Sequence, residues 1–500
     1  MTSASSTLRP WPSISRSRHL RLWSKYSYDF ISNHQIVVAV SLSFLQQSLR
    51  HILNIIRLLF GIHSHIQINK QTMSEFDHAF KAALNGNHQP PLWADRDRPV
   101  PQDMPQVTQL AIDMYMCSQQ PNGEMGGIGW WQTANGYTAM ALHDLWSHRS
   151  THNYPRLAQA VKNCESHRRG FINEFNDDTL WWGVLCLDLY ALGGDGWFLE
   201  KAVGIWEYMR RRGCVIKKGQ YQFREWDMEG ALFWTTREGD WQVNSITTGL
   251  YVELSARLAL IERQQPHHQG GGGGHGLHQK HPRLGRMMDA MGFGAEGGHG
   301  GSFEEYLEAA RCSLGWILRV MYKPKEGLVT DNILLKRGEK RDWTFSYLTG
   351  TTISACAGLY EVTGQMEYLK LAIHMAHKGL KNLGWVEEDG VLTECGQWRK
   401  GQNNPMENND CIGFKSVFMR HMGTLYETIT RLNPPDEAAH QEARWIKTFV
   451  NINYHSLQER NTNGNGQYGP WWKGPFECPT SHSQMAMLDA MAAVRLVNRP

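Results

Sequence analysis

The loops that connect the helical segments of this chain alternate in length, and this alternation restricts the fold more than any other feature. From about residue 105 onward, apolar residues recur at helical spacing, and strand-like alternation is scarce. The spacing predicts twelve helices, at residues 105–118, 133–148, 156–168, 178–192, 197–212, 243–263, 303–320, 349–363, 366–381, 411–431, 436–452 and 481–497. A long loop precedes every even-numbered helix, whereas the loops that follow these helices are mostly short.

Twelve helices connected in this way predict six helical hairpins. When six hairpins close into a ring, every long loop lies on one rim. We therefore predict an all-α fold, an (α/α)6 barrel, over residues 73–500. Because loops on a rigid scaffold often carry binding and catalytic residues, we expect the functional site on the rim that bears the long loops.

Two segments differ from the helical part of the chain. Residues 1–72 contain eight Lys or Arg but one acid, Asp29, a composition similar to that of transit peptides. Residues 36–45 are apolar, but polar residues follow before the roughly 20 apolar residues of a membrane span are reached. We interpret residues 1–72 as an N-terminal extension: a signal-anchor, a targeting segment, or translated sequence upstream of Met73. Residues 265–302, rich in Gly and His, predict a disordered insertion.

The composition limits the class of partner. A net charge of +3 does not favour nucleic acid, and membrane association is expected only if the N-terminal extension is an anchor. The nine cysteines are scattered singly, without a disulfide framework or metal-finger spacing, so we expect no metal and no cofactor. Half of the 20 tryptophans lie on the predicted long loops, where they either stack on sugar rings or close the mouth of the barrel.

Two adjacent carboxylates, Asp177 and Asp178, open a predicted helix, and Trp181 and Trp182 follow. Hydrolysis of a glycosidic bond normally takes two carboxyl groups, which lie about 5–5.5 Å apart in retaining enzymes. The start of a helix favours an ionised carboxylate, whereas two close carboxyls resist double ionisation, so that one of them holds a proton. The pair therefore suits a nucleophile beside an acid. The alternative is a helix cap with a spare acid in the first turn.

Several segments resemble glycoside hydrolase family 76, the endo-α-1,6-mannanases and their fungal wall relatives. Residues 176–182 (NDDTLWW) resemble the family's Asp-Asp motif with its trailing aromatic residues, and residues 129–145 are similar to its first inner-helix motif. Further similar segments follow in the family's order, at residues 242–260, 327–333, 350–364, 413–422 and 468–475. The resemblance covers about residues 105–497.

This resemblance implies an (α/α)6 barrel and a retaining glycosidase that acts on α-1,6-linked mannan or a related α-mannoside. It assigns the nucleophile to Asp177 and the acid/base to Asp178. We expect the substrate-binding residues to be Trp130, Trp131, Asn135, Trp181, Trp182, Asn244, Asp331, Tyr347, Trp471 and Trp472. We also expect a monomer that binds carbohydrate. The family resemblance favours a secreted or cell-surface location, but the chain has no Asn-x-Ser/Thr acceptor and no clean signal peptide, so an intracellular location stays open.

The sequence departs from the family pattern in two loops and leaves alternatives open. Residues 224–234 replace a glycine-rich run, and Leu348 and Thr349 replace two amide side chains, which bears on substrate preference more than on reaction type. The alternatives are a transglycosylase on mannan or GPI-type glycans of the fungal wall, and a non-catalytic glycan-binding relative. A sugar epimerase on the same toroid would rely on barrel histidines, and the inner helices offer few besides His143.

Overall fold

The computed structural model describes residues 88–148, 150–264, 301–394 and 409–499, together with the single residues 81, 396, 401, 404 and 406. The chain divides into two units, Met1–Met73 and Ser74–Pro500, and all of the described residues lie in the second. The predicted N-terminal extension and nearly all of the predicted insertion lie outside the described residues. Within the described residues, no helix is both long and apolar enough to cross a membrane.

The described residues form twelve α-helices, at the positions that the sequence predicts. They are α1 (Met104–Met116), α2 (Trp130–Trp146), α3 (Tyr154–His167), α4 (Asn176–Gly193), α5 (Gly196–Arg211), α6 (Ser245–Gln264), α7 (Phe303–Trp316), α8 (Ser346–Thr363), α9 (Met366–Leu380), α10 (Cys411–Leu432), α11 (Glu437–Arg460) and α12 (Ser481–Val497). The largest difference is at the end of α11, which continues to Arg460 rather than ending at residue 452. Buried Tyr454 and Leu457 continue its apolar face over this last part.

The even-numbered helices pack side by side in chain order, and α12 packs against α2, which closes the ring. The odd-numbered helices pack on the outside of this ring. Burial follows the same division: nearly every residue of α4 from Asn176 to Leu189 is buried, whereas outer helix α3 buries five of its 14 residues. The fold is therefore the predicted (α/α)6 barrel.

Short strands lie within two of the long loops, which precede α6 and α8. They are β1 (Gln222–Phe223), β2 (Trp226–Asp227), β3 (Gln242–Asn244), β4 (Tyr322–Lys323), β5 (Leu328–Val329), β6 (Asn332–Leu334) and β7 (Glu339–Arg341). Strands β3, β6 and β7 form an antiparallel sheet in which Asn244 lies opposite Asn332, and Asn332 lies opposite Arg341. This sheet joins the two loops and brings Asn244 close to Asp331.

Buried charges connect the inner helices within the ring. Arg420 of α10 donates hydrogen bonds to Asp489 of α12 at 2.8 and 3.0 Å, and also to the side chain of Asn135 of α2 at 2.7 Å. Arg257 of α6 forms an ion pair with Asp188 of α4 at 2.6 Å. These pairs satisfy charges that would otherwise be costly to bury.

Candidate active site

The candidate site lies where the inner helices begin. A long loop precedes each inner helix, so the N-termini of all six lie at the same rim. Asp177 and Asp178 lie in the first turn of α4, Trp131 lies in the first turn of α2, and Tyr347 lies in the first turn of α8. Because the N-terminus of a helix carries partial positive charge, this rim suits carboxylates and other anionic groups.

The two carboxyls of the aspartate pair have different hydrogen-bond partners. Oδ2 of Asp177 accepts a bond from the indole Nε1 of Trp234 at 3.1 Å, and Oδ1 accepts one from the backbone N–H of Asp178 at 3.0 Å. Oδ2 of Asp178 accepts a bond from the amide Nδ2 of Asn173 at 2.5 Å. Both oxygens of Asp177 are therefore held, which fixes the plane of its carboxylate.

These surroundings separate the proton affinities of the pair. Burial raises the pKa of Asp177, but its hydrogen bonds from the Asp178 backbone and from Trp234 oppose this rise. Burial also raises the pKa of Asp178, and the negative charge of Asp177 raises it further. Asn173 and the guanidinium of Arg168 only partly offset this rise in the Asp178 pKa. When the pair holds one proton, Asp178 is therefore the carboxyl that keeps it.

Trp234 reaches the pair because two loops cross at the start of α4. The backbone N–H of Asn176 donates to the carbonyl of Trp234 at 2.8 Å, and the N–H of Trp234 donates to the carbonyl of Gln242, also at 2.8 Å. The rings of Phe175 and Trp234 lie 4.9 Å apart. Residues 224–234, the loop that departs from the family pattern, thus supply a direct partner of Asp177. The sequence marks Trp234 as a rim tryptophan but does not show this contact, because it depends on how the loops pair.

A third carboxylate, Asp410, lies directly before α10. Its Oδ1 accepts hydrogen bonds from Nε1 of Trp131 and from Nε2 of Gln132, both at 3.2 Å. The negative charge of Asp410 raises the pKa of both Asp177 and Asp178. Sequence reasoning missed Asp410, because 278 residues separate it from Gln132 and no local motif marks it.

Stacked and tilted aromatic rings form one wall of the site. The rings of Tyr347 and Phe414 are parallel, with centroids 3.8 Å apart, and Phe414 lies 6.2 Å from Trp131. Trp181 in turn lies 6.5 Å from Trp131. Burial raises the pKa of Tyr347, and the charges of Asp331, Asp177 and Asp410 add to this rise. The hydroxyl of Tyr347 therefore stays protonated near neutral pH.

Asn244 and Asp331 lie on the joined loops beside Tyr347. Oδ1 of Asn244 accepts a bond from the backbone N–H of Thr247 at 3.2 Å, at the start of α6. The Asp331 carboxylate accepts a bond from Nδ2 of Asn332 at 2.6 Å, and burial raises the pKa of Asp331 to about 6. The structure thus brings Asp177, Asp178, Trp131, Asn244, Asp331 and Tyr347 to one end of the barrel.

The other predicted binding residues are buried, and they pack against or hydrogen-bond to residues beneath the rim. Trp130 packs on Trp182 at 4.4 Å, and the fully buried Trp182 stacks on Phe171 at 4.8 Å. Asn135 is fully buried; it accepts a bond from Arg420 and donates one to the carbonyl of Trp131 at 2.9 Å. In the loop before α12, Trp471 packs against Ile412, and Trp472 is buried beneath Lys415. Substrate contact by these residues stays a prediction.

The described residues also include possible metal ligands and cysteines. Among the described residues, no cluster of three or more His, Cys, Asp or Glu is arranged to hold a metal ion. Each cysteine in this described part of the chain is a free thiol. His374 and His377 of α9 are buried, and His377 lies 3.2 Å from Glu442 of α11.

Comparison with known proteins finds one matching family model and several solved structures with the same fold. Residues 302–500 match the model of glycosyl hydrolase family 76, whereas no curated protein matches the chain. An inactive variant of the α-1,6-mannanase GH76A of Salegentibacter sp. HEL1_6, with two consecutive aspartates changed to asparagine and α-1,6-mannotriose bound, is 21% identical. The match covers 79% of this chain and 100% of that enzyme, with a TM-score of 0.59.

Two further solved structures share the fold. The family 76 mannosidase Bt3792 from Bacteroides thetaiotaomicron is 15% identical, over 79% of this chain and 98% of that one, with a TM-score of 0.55. Dfg5 from Chaetomium thermophilum, in complex with glucosamine, is 15% identical over 79% of this chain and 91% of its own, with a TM-score of 0.53. The matched family model and the shared fold confirm the resemblance that the sequence motifs indicate, which is to glycosyl hydrolase family 76.

Proposed function

We propose that this chain is a retaining glycoside hydrolase that cleaves α-1,6-linked mannan or a related α-mannoside, with Asp177 as nucleophile and Asp178 as acid/base. The observation that carries the assignment is the unequal surroundings of the two carboxyls. Asp177 accepts two hydrogen bonds that favour its ionised form, whereas Asp178 is held beside that negative charge. Double displacement needs one ionised and one protonated carboxyl, and this geometry favours that distribution.

In the first step, Asp178 donates its proton to the glycosidic oxygen while an oxygen of Asp177 attacks the anomeric carbon. The bond to the leaving sugar breaks, and a glycosyl ester forms on Asp177. In the second step, the ionised Asp178 removes a proton from water, which attacks the same carbon and releases Asp177. The Trp234 bond holds the attacking carboxylate in one orientation through both steps.

The aromatic wall and the named relatives support a sugar substrate. Partly exposed rings such as Trp131 offer apolar faces on which pyranose rings can stack. The Salegentibacter enzyme is described as an α-1,6-mannanase, and a second inactive variant of it, in which two consecutive aspartates are alanine, binds α-1,6-mannotetrose. An adjacent aspartate pair on the same fold supports the same class of reaction here.

The test is incubation of the purified chain with α-1,6-linked mannooligosaccharides, followed by separation of the products. We expect shorter oligosaccharides from the wild type and none from Asp177→Asn. Asp113→Asn, which changes an exposed aspartate of outer helix α1, is the matched control and should keep wild-type activity. Longer products would mean that a sugar hydroxyl resolves the intermediate, so that the chain is a transglycosylase. Binding without any cleavage would favour the non-catalytic glycan-binding alternative.

A further inference from the structure

Asp410 occupies the position of a helix cap but does not cap its helix. An aspartate before a helix usually accepts a bond from a backbone N–H of the first turn. The Asp410 side chain makes no such bond, and Oδ1 of Asn409 accepts the N–H of Cys411 instead, at 3.0 Å. The Asp410 carboxylate turns across the ring to two donors on α2, the Nε1 of Trp131 and the Nε2 of Gln132.

The two hydrogen bonds fix the Asp410 carboxylate at the start of α2, which packs against α4, the helix that begins with the aspartate pair. The two hydrogen bonds from α2 both reach Oδ1, and Asp410 is exposed at the mouth of the site. Trp131, which holds the carboxylate, also lies 6.5 Å from Trp181, one turn after the pair on α4. The charge of Asp410 acts on Asp177, Asp178 and Tyr347 alike.

We propose that Asp410 is a positioning residue of this site, held at the start of α2 by Trp131 and Gln132, and that its negative charge helps the aspartate pair to keep the proton that Asp178 holds. The inference rests on the proposed function, because the proton that it concerns is the one that Asp178 donates to the leaving sugar. A third carboxylate at this rim makes the loss of the proton less favourable. Losing the proton would add another negative charge to a partly buried site that already carries the charge of Asp410.

The other charged and titratable groups around the pair do not act in the same way. Arg168, in the loop before α4, lowers the pKa of Asp178. Burial raises the pKa of Tyr347 far above neutrality and that of Cys411 to about 12, so neither ionises near neutral pH. Asp331, which lies directly before β6, adds to the rise in the Tyr347 pKa, and burial raises the pKa of Asp331 itself to about 6.

The test compares Asp410→Asn with the wild type in the pH dependence of kcat/KM on α-1,6-mannooligosaccharides. We expect the alkaline limb of the variant to move to lower pH, because Asp178 loses its proton more readily without the neighbouring charge. Asp410→Glu, which keeps the charge, should restore the limb. Asp331→Asn is the matched control within the site: it should raise KM and leave the alkaline limb in place. A higher KM for Asp410→Asn with an unchanged limb would overturn the proposal.

A second measurement separates this inference from the proposed function. The carboxyl carbons of wild type and Asp410→Asn, labelled with ¹³C in aspartate and assigned with Asp177→Asn and Asp178→Asn, are titrated by NMR without any substrate. A lower apparent pKa of the pair in Asp410→Asn supports the inference even if no glycan is cleaved. An unchanged titration of the pair overturns it, whatever the enzyme does with mannan.

Discussion

Trp234→Phe tests whether the indole hydrogen bond sets the ionisation of the nucleophile. The substitution keeps an aromatic ring beside Phe175, whose centroid is 4.9 Å away, and removes only the N–H that lies 3.1 Å from Oδ2 of Asp177. A hydrogen bond to a charged group contributes about 1.5–3 kcal/mol. Because the Trp234 side chain is only partly buried, the lower end of this range applies.

A loss of about 1.4 kcal/mol corresponds to about one pH unit. The bond lowers the pKa of Asp177, so its removal raises that pKa, and the acid limb of kcat/KM should move up by about one unit. Well below this limb the variant should be about tenfold slower than the wild type, with a smaller loss on the plateau.

The assay is kcat/KM over the full active pH range, with Trp241→Phe as control. Trp241 lies in the same loop, with an exposed ring that packs on Tyr221 at 5.6 Å. The control should leave the acid limb in place. If Trp234→Phe has the same acid limb as the wild type, the indole bond does not tune the nucleophile, and the assignment of roles within the pair loses its main support.

Three further predictions concern stability. Burial raises the pKa of Glu253 to about 7, so the folded state loses stability as pH rises from the ordinary glutamate range through 7. Glu253→Gln should therefore be more stable than the wild type at about pH 8, by up to roughly 3 kcal/mol in urea unfolding. Near pH 5 this difference in stability should be much smaller. Gly423→Ala would place a Cβ 2.8 Å from the ring of buried Trp146 and should cost about 1–3 kcal/mol in thermal unfolding, whereas Gly358→Ala, whose nearest neighbour is 3.4 Å away, should be neutral or stabilising. Deletion of residues 269–300, which the sequence predicts to be a disordered insertion, should leave melting temperature and activity nearly unchanged, because a long connection adds little closure entropy. A large drop in melting temperature would contradict this prediction.

The fold could be predicted from the sequence because its signal is local and repeated. Each helix carries its own apolar spacing, and the alternation of long and short loops requires only that hairpins follow one another. Outer helices such as α3 show a clear apolar face, whereas α4 is buried almost all round, so that its sequence marks a central element. The predicted end of α11 was wrong because most residues after 452 are polar, so the apolar spacing that Tyr454 and Leu457 continue is hard to recognise in the sequence.

The residues of the site could be predicted where a local motif marks them, whereas their contacts across the fold could not. Asp177 and Asp178 stand together in one motif, so their shared location requires no knowledge of the fold. The contacts of Trp234 and Asp410 depend on loops that meet across 57 and 279 residues, and no local pattern encodes them. Trp182 and Asn135 could be marked from the sequence by residue type and motif, but their burial in the core depends on helix packing, and substrate contact by either stays a prediction.

The central claim is that Asp177 forms a glycosyl-enzyme and that Asp178 moves the proton, and azide rescue tests it most directly. Asp178→Ala is assayed with an activated aryl α-mannoside, which departs with little protonation, in the presence and absence of azide. The account predicts that azide restores turnover and that the product is a mannosyl azide with the α configuration of the substrate, since two displacements retain it. A β-configured azide, or wild-type activity in both Asp177→Asn and Asp178→Ala, would contradict the account.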